Sequence, residues 1–444
     1  MFNIWGLLLK FFSSLTIEPM FLLYYVSASI ATLASTNLLI QKACHTGATV
    51  EPDYNTPCPD EVEAQKLVTN INVWRPTMEY TLPVIIITFL GSWSDTHGKR
   101  RKPLLLIPVI GEIVTTIFVM LSVYYWSWSP ELTAVLESIF RGITGGRTCF
   151  SSGANTYISD ITNVEQRTFR LGIVTAMIFV ATPIGSALAG FLRMQLGFFK
   201  LFGLCMILNI FALSLGFVLM KNSTNEKSPL KFYQGMFDLS KLILSFKTLF
   251  KNRPGNKRVV LLCMAVVSPL FGACFTGEFS VIYFFLRYKF YLDEVEFGYY
   301  SAYKMLTVVF GTIISVSIFS KVFKLSDALI GCLGAITQIA TALLMCFAVY
   351  KWQVYVFPLF DFMHGAIYTT SRSIVSKAVE GTELGQINCV LGTIDSLIPL
   401  IVFPTYNKFY NYTFELMPGA FFSFKCLLSN YYFHIILNYM DYRQ

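Results

Sequence analysis

Ionisable side chains stand inside long apolar runs of this 444-residue chain: Glu112, Arg141, Arg147, Glu278, Lys304, Asp361, His364, Arg372, Asp395 and Lys425. A charge at the centre of a bilayer costs about 3 kcal/mol or more, so such residues pair with one another or face a polar cavity. Two kinds of chemistry suit them. Arg presents a planar fork of donors that grips an anionic group, which makes Arg141, Arg147 and Arg372 candidate substrate-binding residues. A carboxyl group whose solvation changes as a site opens can take up and release protons, and His titrates close to neutrality. Glu278, Asp361, His364 and Asp395 are the candidates for that task. Asn37 is a polar residue able to line a cavity, and Tyr303 can stack on a planar substrate.

Each candidate also has a purely structural reading. Arg141 and Arg147 can be neutralised by carboxylates such as Glu112 or Asp395. Lys304 and Lys425 can pair, or snorkel toward the head groups. His364 can be a satisfied hydrogen-bonding residue. An enzyme needs a nucleophile–base pair or a metal cluster; the four His are scattered at 45, 97, 364 and 434, no cysteine spacing suggests zinc, and no metal or cofactor is expected.

The elements that must position these groups follow from composition. The chain is 55% hydrophobic and 14% charged, against about 45–50% and about 25% for a soluble domain. It cannot cover itself with a water-facing surface. A span needs about 20 apolar residues, and the apolar runs, separated by short polar loops, predict an all-α membrane protein of twelve transmembrane helices. Residues 19–41, 75–93, 103–126, 132–158, 171–192 and 198–220 are the first six. A second six runs over 258–287, 297–320, 326–349, 354–376, 384–407 and 414–440. The predicted organisation is an N-terminal six-helix bundle (1–220), a cytoplasmic basic linker (221–257) and a C-terminal six-helix bundle (258–444). Arg141 and Arg147, six apart on one helix, would differ by about 240° around its axis and share no face.

Most of the Lys and Arg fall in the even-numbered loops and the two termini, which places both termini in the cytoplasm. The formal charge of +8 therefore reports topology, and no nucleic-acid partner is expected. Cys44 and Cys58 stand in the first external loop, 41–72, on the oxidising side, where a disulfide is the expected pairing. Of two glycosylation sequons, the one at Asn222 falls inside, whereas Asn411 lies in the last external turn.

The strongest local signal is the segment 91–102, GSWSDTHGKRRK. Gly91 allows close helix contact, Asp95 ends a span at the inner surface, Gly98 permits a sharp turn, and the basic run Lys99-Arg100-Arg101-Lys102 stays in the cytoplasm. A related pattern follows the fourth span: Tyr157-Ile158-Ser159-Asp160, then Arg167 and Arg170. Together they resemble the loop signature of the major facilitator superfamily, in which such acidic and basic groups latch one conformation. Gly91, Asp95, Gly98, Arg100, Arg167 and Arg170 are the latch residues that this resemblance implies.

Within that superfamily the chain resembles the proton-coupled folate transporter family, solute carrier family 46, and its insect members in particular. The resemblance rests on Glu18-Pro19, 167–171 RTFRL, 277–283 GEFSVIY, 327–331 DALIG, 372–377 RSIVSK and 416–420 LMPGA. It implies proton-driven movement of organic anions, folate or others, at a plasma or lysosomal membrane; some members are associated with peptidoglycan fragments or cyclic dinucleotides. Arg372 matches an Arg of the folate-transporting member. Thr175 stands where that member has a coupling Glu, and 269–272 PLFG lacks its span-seven His. The expectation is an alternating-access secondary transporter of a small organic anion in the lipid bilayer, proton-coupled and monomeric or weakly oligomeric. The alternative is a receptor or scaffold that keeps the fold without transport.

Overall fold

The computed structural model describes residues 16–54, 56–97, 100–162, 164–220, 247–254, 256–380 and 383–441. Among them every regular element is helical. In chain order these are α1 (Glu18–Cys44), α2 (Glu61–Thr96), α3 (Lys102–Tyr124), α4 (Pro130–Ile143), α5 (Gly146–Ile161) and α6 (Val164–Leu219). They are followed by α7 (Lys257–Phe290), α8 (Glu294–Ser317, extended by a π-turn to Val322), α9 (Asp327–Cys346), α10 (Lys351–Phe360), α11 (Ala366–Ala378), α12 (Leu384–Thr413) and α13 (Phe422–Asp441).

Two compact units emerge. One comprises Met1–Cys58 with Leu82–Asp238, the other Pro59–Thr81 with Leu239–Gln444. The division therefore falls inside α2. Most of the basic linker, 221–246, lies outside the described residues.

In the first unit α1 packs against α4 and α6 and reaches α5 through its aromatic rings, while α3 packs against α4, α5 and α6. Tyr24 and Phe21 stack on Phe150 with ring centroids 4.0 and 5.0 Å apart, beside Leu105, Val109, Ala154 and Ala181. In lipid, close backbone approach replaces the hydrophobic drive. A Cβ on Gly185 would fall 2.5 Å from Ser29, and one on Gly153 would meet the Leu104 backbone at 3.1 Å. The second unit centres on Leu261, Val267 and Cys274 of α7 with Ala335, Ile367, Leu391 and Tyr432. Large apolar side chains face outward on α6 (Ile207, Phe211, Phe217) and α8 (Phe310, Ile313, Ile314). A surface of that kind matches hydrocarbon.

Seven helices among the described residues are long and apolar enough to cross a membrane. Of the five missing from twelve, α2 and α13 are helices that fall short in length or hydropathy, and the other three have local causes. The fifth and sixth predicted spans follow one another within α6 as two helices that meet at the non-helical Gly197 (φ 70°). The fourth is broken into α4 and α5, and the tenth into α10 and α11, so each piece is short. The first external loop is shorter than expected. Residues 61–72 are the first turns of α2, where Glu61 and Glu63 stand at the positive helix terminus and Lys66 pairs with Glu63 at 2.9 Å.

Both broken helices have a sequence cause. Gly145 (φ 88°) and Gly146 (φ 47°) take left-handed conformations open to glycine. After Pro358, residues 361–365 form a turn instead of helix, held by His364 N–H donating to the Asp361 carbonyl at 2.9 Å.

Candidate functional site

The break between α4 and α5 separates Arg141 from Arg147, so the angular argument for one continuous helix does not apply. Arg141 Nε donates to Glu112 Oε1 at 2.9 Å, and its Nη2 lies 3.1 Å from Glu137 Oε1. Ser35 donates to the other oxygen of Glu137 at 2.5 Å. Arg141, Glu112 and Glu137 are all buried. Glu137 was not among the candidates, although its place four residues before Arg141 is the spacing that puts two helical side chains on one face.

Arg147 has a different environment. Its Nη2 donates to the Ala28 carbonyl at 2.9 Å and to Thr32 Oγ1 at 2.6 Å, both on α1. Among the described residues no carboxylate lies within ion-pair distance of it. Ser151 and Tyr25, whose hydroxyls are 2.5 Å apart, join the same two helices. Asn37 is buried on α1.

The second unit brings distant residues into one chain of polar contacts. Glu278 on α7 bridges Lys304 on α8 and Lys425 on α13, the latter at 2.8 Å. Lys425 also reaches Asp361 Oδ2 at 3.1 Å. His364 Nδ1 lies 2.9 Å from the same Asp361 oxygen and 3.4 Å from Gln338, which accepts from Ser429 at 3.3 Å. Glu278, Lys425, Asp361, His364 and Gln338 are all buried. Three of the four proton-coupling candidates thus share one network, at the break between α10 and α11. Gln338 and Ser429 were missed; being uncharged, they carried no sequence signal.

Asp395 is separate. It accepts from Arg372 at 2.6 Å and from Ser268 at 3.1 Å. Tyr303 spends its hydroxyl on the Tyr355 carbonyl at 2.7 Å, leaving a half-buried ring. Thr175 is exposed and donates to the Leu171 carbonyl at 3.0 Å. Gly272 and Gly277 do not break α7. A Cβ on Gly277 would meet the Tyr406 ring at 2.4 Å, so this glycine serves close packing.

Of the latch residues, Gly98 and the side chains of Asp95 and Arg167 lie outside the described residues. Arg170 Nη2 pairs with Glu18 at 2.7 Å. Arg100 is exposed, and it is the next residue, Arg101, that pairs with Asp160 at 2.7 Å and donates to Ser94 at 3.1 Å. Among the described residues, a Cβ on Gly91 would meet nothing within 4 Å. Cys44 and Cys58 form a disulfide with Cα atoms 5.2 Å apart. The Asn411 amide nitrogen, the atom that would carry a sugar, donates to Asn70 at 2.8 Å. Outside the spans, the neighbouring Lys251 and Arg253 hold the Glu383 carboxyl below its ordinary range.

The pattern of the Major Facilitator Superfamily matches residues 74–404. The probable peptidoglycan muropeptide transporter SLC46 of Drosophila melanogaster is 23% identical over 377 residues, covering 83% of this chain and 72% of that protein. The lysosomal proton-coupled steroid conjugate and bile acid symporter SLC46A3 of Gallus gallus is 22% identical over 426 residues, 91% of this chain and 89% of that one. Among solved structures, the human organic anion transporter MFSD10 (TETRAN) superposes with a TM-score of 0.63 at 16% identity, covering 95% and 97% of the two chains. A peptide transporter POT in complex with sulfate gives 0.61 at 11% identity, covering 96% and 93%.

Proposed function

Starting from the fact that this chain belongs to the Major Facilitator Superfamily, we propose that it is a twelve-span, alternating-access secondary transporter that moves a small organic anion together with protons. It is a multi-pass membrane protein with relatives named as transporters. One observation carries the finer reading: the fourth and tenth predicted spans, equivalent places in two sets of six, are both broken, and each break is flanked by buried or half-buried ionisable groups. Interrupted helices in corresponding positions of repeated halves are where transporters bind substrate and coupling ions.

Roles follow from the pairings. Arg147, which meets hydroxyl and carbonyl acceptors, is the favoured anion-binding group of its unit. Arg141, held by two carboxylates, and Arg372, held by Asp395, bind an anion only in exchange for a carboxylate. Asn37 and Tyr303 remain substrate-lining candidates. Glu278, Asp361 and His364 are the proton carriers. The relatives named for muropeptides, steroid conjugates and bile acids set the panel to be screened, with folate added. The chain is read as a non-enzyme with cytoplasmic termini, at the plasma or lysosomal membrane, with bundles 1–220 and 258–444 joined by the linker 221–257.

The experiment is uptake of labelled panel anions into proteoliposomes holding the full chain, with and without an acid gradient. Accumulation that collapses with the gradient supports the reading. The rival is a receptor, favoured by Thr175 in place of the coupling Glu; ligand binding without flux would select it.

A further inference from the structure

We propose that Lys304 is a proton-gated anion site: protonation of Glu278 releases its ammonium to bind the head group of an amphipathic organic anion whose apolar body lies in the cleft between α7 and α8. This rests on the transporter reading and adds the place and the chemical class of the ligand.

The cleft is a narrow, partly open groove, so the apolar body of a ligand would lie along its walls. Its walls are Phe275, Phe279, Phe297, Tyr300, Ile282 and Val308. Apart from the hydroxyls of Tyr300 and Ser301 these uncharged walls are apolar, and they suit an aromatic or alicyclic ring system better than a sugar or a peptide, which would need more donors and acceptors. Its charged lining groups are Glu278 and Lys304.

The two lysines that share Glu278 are not equivalent. The Lys425 side chain is 1% exposed, that of Lys304 23%. Lys425 has a second carboxylate, Asp361. Among the described residues, Glu278 is the carboxylate within ion-pair distance of Lys304. When Glu278 is neutral, Lys425 keeps a counter-ion while Lys304 faces the cleft without one.

Charge balance then supplies the coupling. Two ammonium groups and two carboxylates sum to zero, and one proton plus one monoanion restores zero. A proton alone leaves an unpaired ammonium in a largely apolar cleft; an anion alone sets two negative charges on Lys304. Either single event is penalised by burial, so the two bind together. The other groups around Glu278 are Tyr300 on α8, Lys425 on α13, Asp361 and through it His364 in the turn after α10, Tyr406 on α12 and Cys274 on its own helix. Because the competing carboxylate is the group that takes the proton, anion binding strengthens as the pH falls.

The test is binding of tritiated 2-naphthalenesulfonate to the purified full-length chain. This probe stays ionised from neutral to mildly acid pH, so any pH dependence belongs to the protein. Wild-type affinity is expected to rise about tenfold on acidification, the equivalent of one charge-assisted contact. Glu278→Gln should bind at neutral pH as tightly as the wild type at acid pH, with a flat profile. Lys304→Gln should lose about tenfold at acid pH. Ethanesulfonate, equally charged but without rings, should bind weakly throughout. Wild-type affinity in Lys304→Gln, or a wild-type pH slope in Glu278→Gln, would overturn the site. Should Glu278→Gln fail to fold with Lys304 uncompensated, the charge-balanced double variant Glu278→Gln/Lys304→Gln replaces it, and pH-dependent binding there overturns the proposal. Tighter binding of ethanesulfonate than of the ring sulfonate overturns the ligand class. Binding that follows both residues without acid-driven accumulation in proteoliposomes rejects the transporter and keeps the site. Accumulation that ignores both substitutions rejects the site and keeps the transporter.

Discussion

Arg141 and Arg147 are the same residue type six positions apart, yet their partners give them different work. Removing one member of a buried ion pair strands the other charge, at a cost of roughly 3–5 kcal/mol. Arg141→Gln would leave the buried Glu112 and Glu137 without this guanidinium and is expected to lower the melting temperature strongly. Arg147→Gln removes hydrogen bonds to a carbonyl and a hydroxyl, a loss of about 1–3 kcal/mol, while reducing anion uptake well beyond its effect on stability. Thermal unfolding and uptake measured on both variants separate these roles. The reverse order, with Arg147→Gln the less stable and Arg141→Gln the transport-defective one, would show that the assignment is inverted. The sequence identified both residues as buried charges but left both readings open. Their partners lie on other helices, and no local pattern of residues names them.

Among the elements, the broken helices matter most. Gly145 holds φ 88° with Cys149 Cβ 2.5 Å from where its own Cβ would be. Gly145→Ala therefore meets both a left-handed backbone penalty of about 1–2 kcal/mol and a clash, and is expected to destabilise the chain and weaken substrate binding at the adjacent Arg147. Gly172→Ala provides the comparison. This glycine is exposed in a helix with nothing among the described residues within 4 Å of the added methyl, so the variant's melting temperature should stay level or rise slightly. Equal losses in the two variants would show that the Gly145 conformation is not what matters. The run Gly145-Gly146 is plain in the sequence. Its role as a helix break is not, because glycine permits a left-handed turn without requiring one.

At the scale of the whole molecule, the proposed orientation has consequences outside any site. The Cys44–Cys58 bond closes a loop with a sequence separation of 14, and its loss should cost about 3 kcal/mol. A membrane-impermeant reductant added to sealed, right-side-out vesicles is expected to destabilise the protein, whereas protease should cut between residues 221 and 257 only in inside-out vesicles. Cleavage of that segment from the same side as the reducible disulfide would break the twelve-span scheme, which sets the two on opposite faces. The superfamily relationship leaves this open, since a matched fold carries no orientation.

The sequence by itself determined the class of molecule: helical, bilayer-embedded, with the superfamily's loop signature and a short set of buried charges. Hydropathy and charge bias are sums over neighbouring residues, and a bilayer reads those sums directly. Only the tertiary structure decided which charges meet. Glu278 finds Lys304 26 residues away and Lys425 147 residues away, and Asp160 takes Arg101 while Arg100 stays exposed. It also showed residues 61–72 to be helix and divided α2 between two units. A desolvated charge binds whatever partner the packed helices bring within about 4 Å, and that choice belongs to the assembled bundle.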